Sequence, residues 1–398
     1  MLKAVNKYSL IFLLLIFTSG FYSYQGTIMP VSLNVYLLIL IFLLIFMGSL
    51  FNVEKDRPSS LIYSRITLFS IIYLVFNCFY FIFSPYGINV WQQFVAVLAG
   101  TLFFGAIYLS SKENLEILTF FIPLLLIVSA FLNFFDFLNP GYLVPLWMPE
   151  ANPGRAAGLF MNANQSAYAL VLFMAFTFAF CSKKIINICL CFCLPAVLIT
   201  FSRSGIALLL ILLAINYRSI KISYLLIPGL TLPLFYFFGL SNFLDLSAGD
   251  ASLYVNAFEN ILSRIDIFSL SDASTRSFTD DNRLELILLS IEEFNKSIFL
   301  GNGFGHTSMW ILEMGPHNMH LFFLVEYGML GYLFYVIAIL YFFISAFSGY
   351  QKLSKINMFL AIFLVAGGLF SHTFMIDFQP LTFLAIIACF NEKAKLKK

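Results

Sequence analysis

Long apolar segments, separated by short polar ones, recur along nearly the whole chain. Segments of roughly 17 to 25 apolar residues have the length that crosses the hydrocarbon layer of a bilayer as a helix. The pattern therefore predicts about twelve membrane-spanning helices. Their predicted limits are residues 8–24, 31–51, 66–83, 88–109, 117–138, 162–181, 185–201, 204–217, 222–239, 319–347, 357–376 and 378–391.

The composition strengthens this interpretation. Hydrophobic residues make up 61% of the 398 residues and charged residues only 11%, whereas soluble domains contain far more charge. We predict an all-α integral membrane protein. Nucleic acid is not an expected partner, because the basic residues are scattered through short loops that lie against the membrane.

The distribution of lysine and arginine predicts the orientation in the membrane. With the N-terminus in the cytoplasm, sixteen of the 22 basic residues lie inside and six outside, which is the asymmetry that the positive-inside rule requires. Both termini are then cytoplasmic. The six outer residues, which stand out on an otherwise acidic face, are Arg155, Arg203, Arg264, Arg276, Arg283 and Lys296.

One polar loop, residues 240–316, is much longer than the others, and a loop of that size is usually functional. It separates residues 1–239, with nine predicted spans, from residues 317–398, with three spans and a basic cytoplasmic tail. Within the loop, Asn282–Phe294 is predicted to form an amphipathic helix. One face of this helix carries Leu284, Ile287, Leu288 and Ile291.

The segment Gly301-Asn302-Gly303-Phe304-Gly305 follows that helix. Closely spaced glycines break helices and permit backbone conformations that other residues rarely adopt, so a flexible turn is predicted. A phosphate-binding glycine loop is the weaker interpretation, because no strand precedes the segment and no helix follows it directly.

Arg155, Arg203, Arg283 and His317 come from four separate segments, yet the predicted topology delivers all four to the outer side of the membrane. Guanidinium is permanently charged and binds phosphate oxygens through paired donors, which suits a lipid-linked phosphate or diphosphate. Taken singly, an arginine at a span end is more often an interfacial anchor, and a histidine near a helix start is more often a capping or packing residue. Because the three arginines and His317 lie on one face of the membrane, a shared functional site is favoured over separate structural roles.

His317 lies at the predicted start of the tenth span. The positive end of a helix favours anions and disfavours a protonated imidazole. A neutral imidazole at that place is suited to act as a general base that deprotonates an acceptor hydroxyl. His306, His320 and His372 are weaker candidates.

Metal-dependent chemistry is disfavoured by the sequence. The predicted outer loops contain no Asp-x-Asp triplet, and no cluster of histidines and carboxylates has the spacing of metal ligands. In the series Cys189, Cys191 and Cys193, residues two positions apart point about 200° apart on a helix, and all three are predicted to be packing residues. We expect no metal and no cofactor. Sugar nucleotides are normally cytoplasmic substrates, so a donor used outside would already have crossed the membrane on a lipid.

The motif His317-Asn318, nine residues, Gly328, two residues, Gly331 resembles the signature of the O-antigen ligase family. Three further segments are similar to that family and bring the resemblance to roughly residues 150–340. They are Arg155-x-x-Gly158-Leu159-Phe160-x-Asn162-x-Asn164, Ser202-Arg203-Ser204-Gly205, and Arg283 with the helix that ends at the glycine segment.

The resemblance implies a bacterial inner-membrane glycosyltransferase with a GT-C-like fold, which works on the periplasmic face without metal. Its donor would be a glycan linked to undecaprenyl diphosphate. By this resemblance, Arg203 and Arg283 would hold the diphosphate and His317 would activate the acceptor. Arg155, Asn164 and Asn318 would be further substrate-binding residues. Ile287 stands where the family has leucine, which is a mild departure.

The acceptor stays open at this point. Ligases of this superfamily transfer the glycan to lipid A-core, polymerases transfer it to another lipid-linked repeat unit, and related members modify proteins. The complete signature favours a ligase. A transporter or lipid-linked oligosaccharide flippase would also fit twelve spans, but such proteins place charges near the membrane midplane and often contain internal repeats. Neither feature is evident in this sequence.

Overall fold

The computed structural model describes residues 2–28, 41–43, 65–111, 114–139, 141–143, 155–220, 278–310, 315–347, 351–371 and 377–395. Across these ranges the protein is helical and contains no strand. The predicted class, an all-α membrane protein, is confirmed at this level. Most of the predicted span 31–51, the whole span 222–239 and loop residues 240–277 lie outside the described residues.

Most of the described α-helices agree with the predicted apolar segments to within a few residues at each end. Two predictions are wrong: the span 8–24 is divided at Ser19–Gly20, where Gly20 has φ +85°, and the helix predicted over 357–376 begins at Gln351 and ends near Gly367. In chain order the α-helices are α1 (Leu2–Leu13), α2 (Phe21–Ile28), α3 (Arg65–Ile82), α4 (Trp91–Ser111), α5 (Leu115–Leu138), α6 (Ala163–Phe180), α7 (Lys183–Leu198), α8 (Arg203–Asn216), α9 (Phe278–Lys296), α10 (His306–Met309), α11 (Met319–Ala346), α12 (Gln351–Ile362) and α13 (Phe378–Lys395). Two π-helical segments, Leu14–Thr18 and Phe363–Gly367, follow α1 and α12.

Among the described residues, four helical segments are long and apolar enough to cross a membrane. They are Gly87–Ser111, Glu116–Leu138, Ala163–Phe180 and Met319–Ala346. Shorter apolar helices occupy Lys7–Thr18, Ile66–Ile82 and Leu353–Gly367. The chain is therefore a helical membrane protein, and the full set of twelve spans stays a prediction.

The chain forms two compact units, each assembled from segments that are distant in sequence. One comprises Met1–Leu10, Leu33–Glu113 and Ala273–Lys398; we call it the histidine unit because it contains His317. The other comprises Ile11–Ser32 and Asn114–Asp272; we call it the arginine unit because it contains Arg155 and Arg203.

In the arginine unit, α6 is the central helix and packs against α5, α7 and α8. Most of its side chains are buried, including Ser166 and Thr177. Gly205 lets α8 approach closely, because a Cβ atom at this position would overlap the Cβ atom of Ala167.

In the histidine unit, α4 packs along α13, and α11 packs along α12 and α9. Two buried amides join α12 to α13: the Nδ2 group of Asn357 donates to Oδ1 of Asn391, and the reverse bond is also made, each at 2.8 Å. Such satisfied polar pairs fix the relative positions of helices whose contact is otherwise apolar.

Candidate functional site

Arg155 stands just before α6 and is held by two other segments of the arginine unit. Its Nε group donates to the carbonyl oxygen of Thr200 at 3.0 Å, and its Nη2 group donates to Oδ1 of Asn164 at 2.9 Å. Two residues predicted to belong to the site are therefore in direct contact. The bond to Thr200 also brings Arg155 to the turn that precedes Arg203.

The loop between Arg155 and α6 is anchored by a carboxylate on α5. Oδ2 of Asp136 accepts hydrogen bonds from the backbone N–H groups of Ala157 and Gly158, at 2.9 and 3.0 Å. Gly158 has φ +56°, and a Cβ atom there would lie 2.6 Å from Oδ1 of Asn133. Only glycine fits a left-handed conformation in contact with that amide.

Asn133 and Asp136 were missed by the sequence analysis. Asn133 exchanges two hydrogen bonds with the Ser166 hydroxyl, at 2.8 and 3.0 Å, and so ties α5 to α6 below the loop. The available signal was an amide and a carboxylate three residues apart, and thus on one helix face, inside an apolar span.

Helix α8 begins directly at Arg203, so the tight turn predicted at Ser202–Gly205 lies slightly earlier, at Ile199–Phe201. The Ser202 hydroxyl caps the helix by accepting a hydrogen bond from the N–H group of Gly205 at 3.2 Å. Ser204 shares a hydrogen bond of 2.6 Å with the Tyr168 hydroxyl on α6. Arg203 is exposed on the first turn.

In the histidine unit, His317 directly precedes the first turn of α11, as predicted. The side chain of Asn318 caps this helix by accepting hydrogen bonds from the N–H groups of His320 and Leu321, at 2.9 and 3.2 Å. The preceding Pro316 is buried, whereas His317 is exposed. Asn318 therefore fixes the helix start beside which the imidazole stands.

Three helix starts share one backbone feature, a left-handed residue directly before the N-cap residue. Met161, Phe201 and His317, with φ of 63°, 48° and 49°, are the non-glycine residues of positive φ in the described part of the chain. Each immediately precedes an Asn or Ser that caps the next helix. Met161 and His317 fall within segments that the sequence analysis named, and Phe201 directly precedes one. A non-glycine residue in this conformation costs about 1–3 kcal/mol, and such strain clusters at functional sites.

The first turns of α6 and α8 give the arginine unit an anion-favouring character. The helix dipole makes a helix start positive, although the caps from Asn162 and Ser202 already occupy the N–H groups of Asn164, Gln165 and Gly205. Arg155 adds a guanidinium beside α6, and Arg203 adds another on α8. The arrangement is suited to hold a group with several negatively charged oxygens.

Helix α11 is interrupted at Gly328, where φ is 64° and ψ is −163°. The backbone of the glycine segment after α9 lies at this interruption and hydrogen-bonds to the backbone of α11. We call this arrangement the clasp, and define it by four hydrogen bonds between residues 298–303 and 325–330. They run from Asn302 N to Val325 O (2.9 Å), Gly303 N to Glu326 O (3.0 Å), Met329 N to Ile298 O (2.9 Å) and Leu330 N to Phe299 O (3.2 Å).

The clasp requires glycine on both sides. A Cβ atom at Gly328 would lie 2.5 Å from the carbonyl oxygen of Phe299, and one at Gly301 would overlap the backbone of Glu326. The Tyr80 hydroxyl, on α3, adds hydrogen bonds to Leu300 O (3.0 Å) and Tyr327 O (3.3 Å). The predicted turn is present, but hydrogen bonds hold its backbone on both sides, and the short helix α10 follows it directly, contrary to the sequence prediction.

The clasp connects α9 to α11. The Nδ2 group of Asn302 donates to the carbonyl oxygens of Glu293 (2.7 Å) and Val325 (3.2 Å). Leu286 on α9 packs against Trp310 and Val325. Arg283 lies on α9, so the position of its backbone depends on this packing. The helix that was predicted over Asn282–Phe294 is confirmed and extends to Phe278–Lys296.

A fully buried carboxylate, Glu326, lies two residues before the interruption in α11. Its Oε1 atom accepts hydrogen bonds from the Thr307 hydroxyl (2.7 Å), the Thr307 N–H (3.3 Å) and Nε2 of Gln93 (3.3 Å). The sequence analysis missed it, although a lone carboxylate in an apolar span is itself a signal. Here it joins α10 to α11 and α4.

His306, a weaker candidate in the sequence, joins three elements. Its Nε2 atom lies 3.1 Å from Oε2 of Glu293, and its Nδ1 atom pairs with the Tyr86 hydroxyl. Burial lowers the pKa of His306, although Glu293 opposes this shift. Burial acts to raise the pKa of Glu293, but the hydrogen bond and charge of Lys296, together with His306, outweigh it, so this pKa is lowered.

His320 has a packing role. Its ring nitrogens pair with the Tyr332 hydroxyl at 3.0 Å and with the carbonyl oxygen of Val365 at 3.1 Å, which ties α11 to the π-helical segment after α12. His372 lies outside the described residues.

Arg155, Asn164 and Arg203 thus belong to the arginine unit, and Arg283, His317 and Asn318 to the histidine unit. No protein-family model and no curated protein matches this sequence significantly.

Proposed function

We propose that the protein is a membrane glycosyltransferase that transfers a glycan from undecaprenyl diphosphate to an acceptor hydroxyl at the periplasmic face of a bacterial inner membrane. The observation that carries the proposal is the contact of Arg155 with both Asn164 and Thr200. It ties the motif before α6 to the turn that precedes the motif at the start of α8. Together with the four motif segments, this contact supports a diphosphate site.

In this proposal, the diphosphate of the donor binds to the guanidinium groups of Arg155 and Arg203 and to the positive starts of α6 and α8. Arginine binds phosphate oxygens through a planar pair of donors, and it keeps its charge at every physiological pH. Asn164 orients Arg155 through the hydrogen bond at 2.9 Å. Arg283 is proposed as a further phosphate-binding residue on the strength of the sequence motif alone.

His317 is assigned as the general base. The imidazole takes the proton of the acceptor hydroxyl while that oxygen attacks the anomeric carbon of the donor sugar. The bond between this carbon and the diphosphate oxygen breaks, and its electron pair stays on the diphosphate, whose charge the arginines stabilise. Asn318 holds the helix start that positions His317.

The acceptor that we propose is lipid A-core, which makes the protein a polysaccharide ligase. The complete His-Asn to Gly-x-x-Gly motif supports this choice. A polymerase that joins lipid-linked repeat units is the alternative, since both activities use the same donor.

The site is tested by comparing two arginines at opposite ends of α8. Arg203 stands at its start, and Arg218 lies just beyond its end, exposed and in contact with the Tyr217 ring. We expect Arg203→Ala to abolish glycan transfer in cells, and Arg218→Ala to retain it at equal protein level in the membrane. Full activity of Arg203→Ala would overturn the proposed site.

The acceptor is tested by the glycan profile of a deletion strain. Loss of all lipid A-linked polymer, with polymer accumulating on the carrier lipid, supports a ligase. A single repeat unit attached to core indicates a polymerase and would contradict the ligase. Accumulation of carrier-linked glycan on the cytoplasmic face alone would indicate a flippase and would overturn the transferase proposal.

A further inference from the structure

The exposed surface of α9 has two sides of opposite polarity. Leu286 and Ser290 are buried against the rest of the histidine unit, but Ile287, Leu288 and Ile291 are exposed, Leu288 to 59%. These three apolar positions occupy a sector of about 100° on the helix, at 3.6 residues per turn, which at its C-terminal end also contains the exposed Asn295. The neighbouring exposed sector carries the charged residues Glu285, Glu292 and Lys296.

An exposed apolar sector beside an exposed charged one is typical of a helix that lies in a membrane interface. A helix that is surrounded by water typically exposes polar residues beside its buried face, whereas a contiguous exposed apolar patch indicates a contact. A helix that is inserted in hydrocarbon would not carry exposed charges near its middle. The face was predicted from the sequence, and the structure leaves it uncovered among the described residues.

The chain that follows α9 extends the apolar surface. Ile298, Phe299 and Leu300 are all exposed, Phe299 to 72%. The backbone bonds of the clasp place Ile298 and Phe299 beside Met329 and Leu330 of α11. An apolar corner therefore lies at the interruption of a helix that is long enough to cross the membrane.

The same side of α11 remains apolar and exposed along its length. The exposed residues are three or four positions apart or adjacent, which places them on one side of the helix. They are Met329, Leu330, Leu333 and Ile337. In a membrane-spanning helix such a side faces lipid. The corner at Ile298–Leu300 continues this lipid-facing surface and joins it to the end of α9.

We propose that the apolar sector of α9 and the corner at Ile298–Leu300 are buried in the interface of the lipid bilayer. The charged sector of α9 then faces water. This part of the long polar loop is a membrane-anchored element, and this inference is independent of any transferase activity.

The proposal is tested by spin labelling of the full-length protein in lipid nanodiscs. The six native cysteines are first replaced by alanine or serine. Single labels are then attached at Leu288→Cys, Ile291→Cys and Phe299→Cys. Matched controls on the charged sector are Glu285→Cys and Glu292→Cys, and Leu333→Cys on α11 provides the lipid-facing reference.

We expect the labels at positions 288, 291 and 299 to collide more often with oxygen, which partitions into lipid, than with a water-soluble nickel chelate. The controls at 285 and 292 should show the opposite order. A preference for the nickel chelate at 288 and 291 would overturn the proposal. Protection from both reagents, with spin–spin broadening between copies, would also overturn it, because a second copy would then cover the face. The labels at 288 and 291 test the membrane contact of α9 even if the label at 299 disturbs the clasp.

Discussion

The arginine unit and the histidine unit have similar helix starts, but they anchor their irregular segments by different means. In both, a left-handed residue precedes a capping Asn or Ser. The arginine unit fixes its loop with side chains, namely Asp136 on the loop amides and Arg155 on Asn164. The histidine unit exchanges backbone hydrogen bonds between two chain segments at Gly301 and Gly328.

This difference predicts which substitutions each unit tolerates. A side-chain anchor can be replaced by a residue that offers the same acceptor or donor. Where two backbone segments are in direct van der Waals contact, neither can carry a side chain at that point. An added Cβ atom would meet carbonyl oxygens, and these cannot move without breaking their own hydrogen bonds. We therefore expect the histidine unit to be sensitive to any change at its glycines, and the arginine unit to be sensitive mainly to loss of polar atoms.

The largest effect is expected for Gly328→Ala. The conformation at Gly328 is restricted almost entirely to glycine, and the added methyl would meet the Phe299 carbonyl oxygen, so we expect a loss of about 3 kcal/mol or more. Thermal unfolding in detergent, with hydrogen exchange of the Asn302 and Gly303 amides, measures it. Gly87→Ala is the control, because φ is +55° there but no atom lies within 4 Å of the added Cβ. It should cost only about 1–2 kcal/mol, and equal losses in the two variants would refute the role of the clasp.

Asp136→Ala tests the side-chain anchor of the arginine unit. The change leaves the N–H groups of Ala157 and Gly158 without their acceptor, which costs about 1–3 kcal/mol for a buried donor. We expect reduced thermal stability and reduced glycan transfer. Asp136→Asn keeps an acceptor oxygen and should retain most of both. If Asn behaved as poorly as Ala, the carboxylate would matter for its charge and the comparison with the backbone anchor would fail.

The pair Arg155 and Asn164 is expected to show a smaller but specific coupling. A double-mutant cycle of Arg155→Lys and Asn164→Ala should give an interaction energy of about 0.5–3 kcal/mol in the transfer rate, because each change removes the same hydrogen bond. Lysine retains the charge but not the planar pair of donors. Strict additivity of the two changes would show that the contact does not position Arg155 for function.

The smallest expected effect is on the pH dependence of stability. Burial lowers the pKa of His306 below its ordinary value of 6.5 in the folded protein. Below about pH 6.5 the imidazole is therefore protonated in the unfolded chain, whereas in the folded chain it becomes protonated only at lower pH. Acidification therefore destabilises the folded state. Thermal unfolding at pH 7.5 and 5.5 should show a larger decrease for the wild type than for His306→Asn. An identical decrease in both proteins would contradict the assignment to His306, which faces Glu293, Lys296 and Tyr86.

The sequence predicted most helices of the apolar segments, the helix over Asn282–Phe294 and the glycine turn that follows it, because these depend on local periodicity and on glycine. It did not predict the interruption of α11, since a single glycine in an apolar helix is ordinarily tolerated. Only the bonded partner, the segment 298–303, makes Gly328 a break. Asp136 and Glu326 were missed for a related reason: their hydrogen-bond partners lie far away in sequence, and no local pattern specifies them.

The candidate site was predicted in part. The sequence grouped Arg155 with Asn164 by motif, and the structure adds the hydrogen bond between them. Arg155 and Thr200 are 45 residues apart, and their contact follows from the packing of α6, α7 and α8. Such a contact arises from tertiary structure, which periodicity does not encode.

The central claim, that the arginine unit binds the diphosphate of a carrier lipid, is tested most directly by ligand binding. Purified full-length protein in nanodiscs is titrated with undecaprenyl diphosphate and with undecaprenyl monophosphate, for the wild type, Arg203→Ala and Arg218→Ala. We predict that the wild type and Arg218→Ala bind the diphosphate more tightly than the monophosphate, and that Arg203→Ala loses at least about tenfold in affinity for the diphosphate, about 1.4 kcal/mol. Equal affinity of all three proteins for the diphosphate would contradict the account.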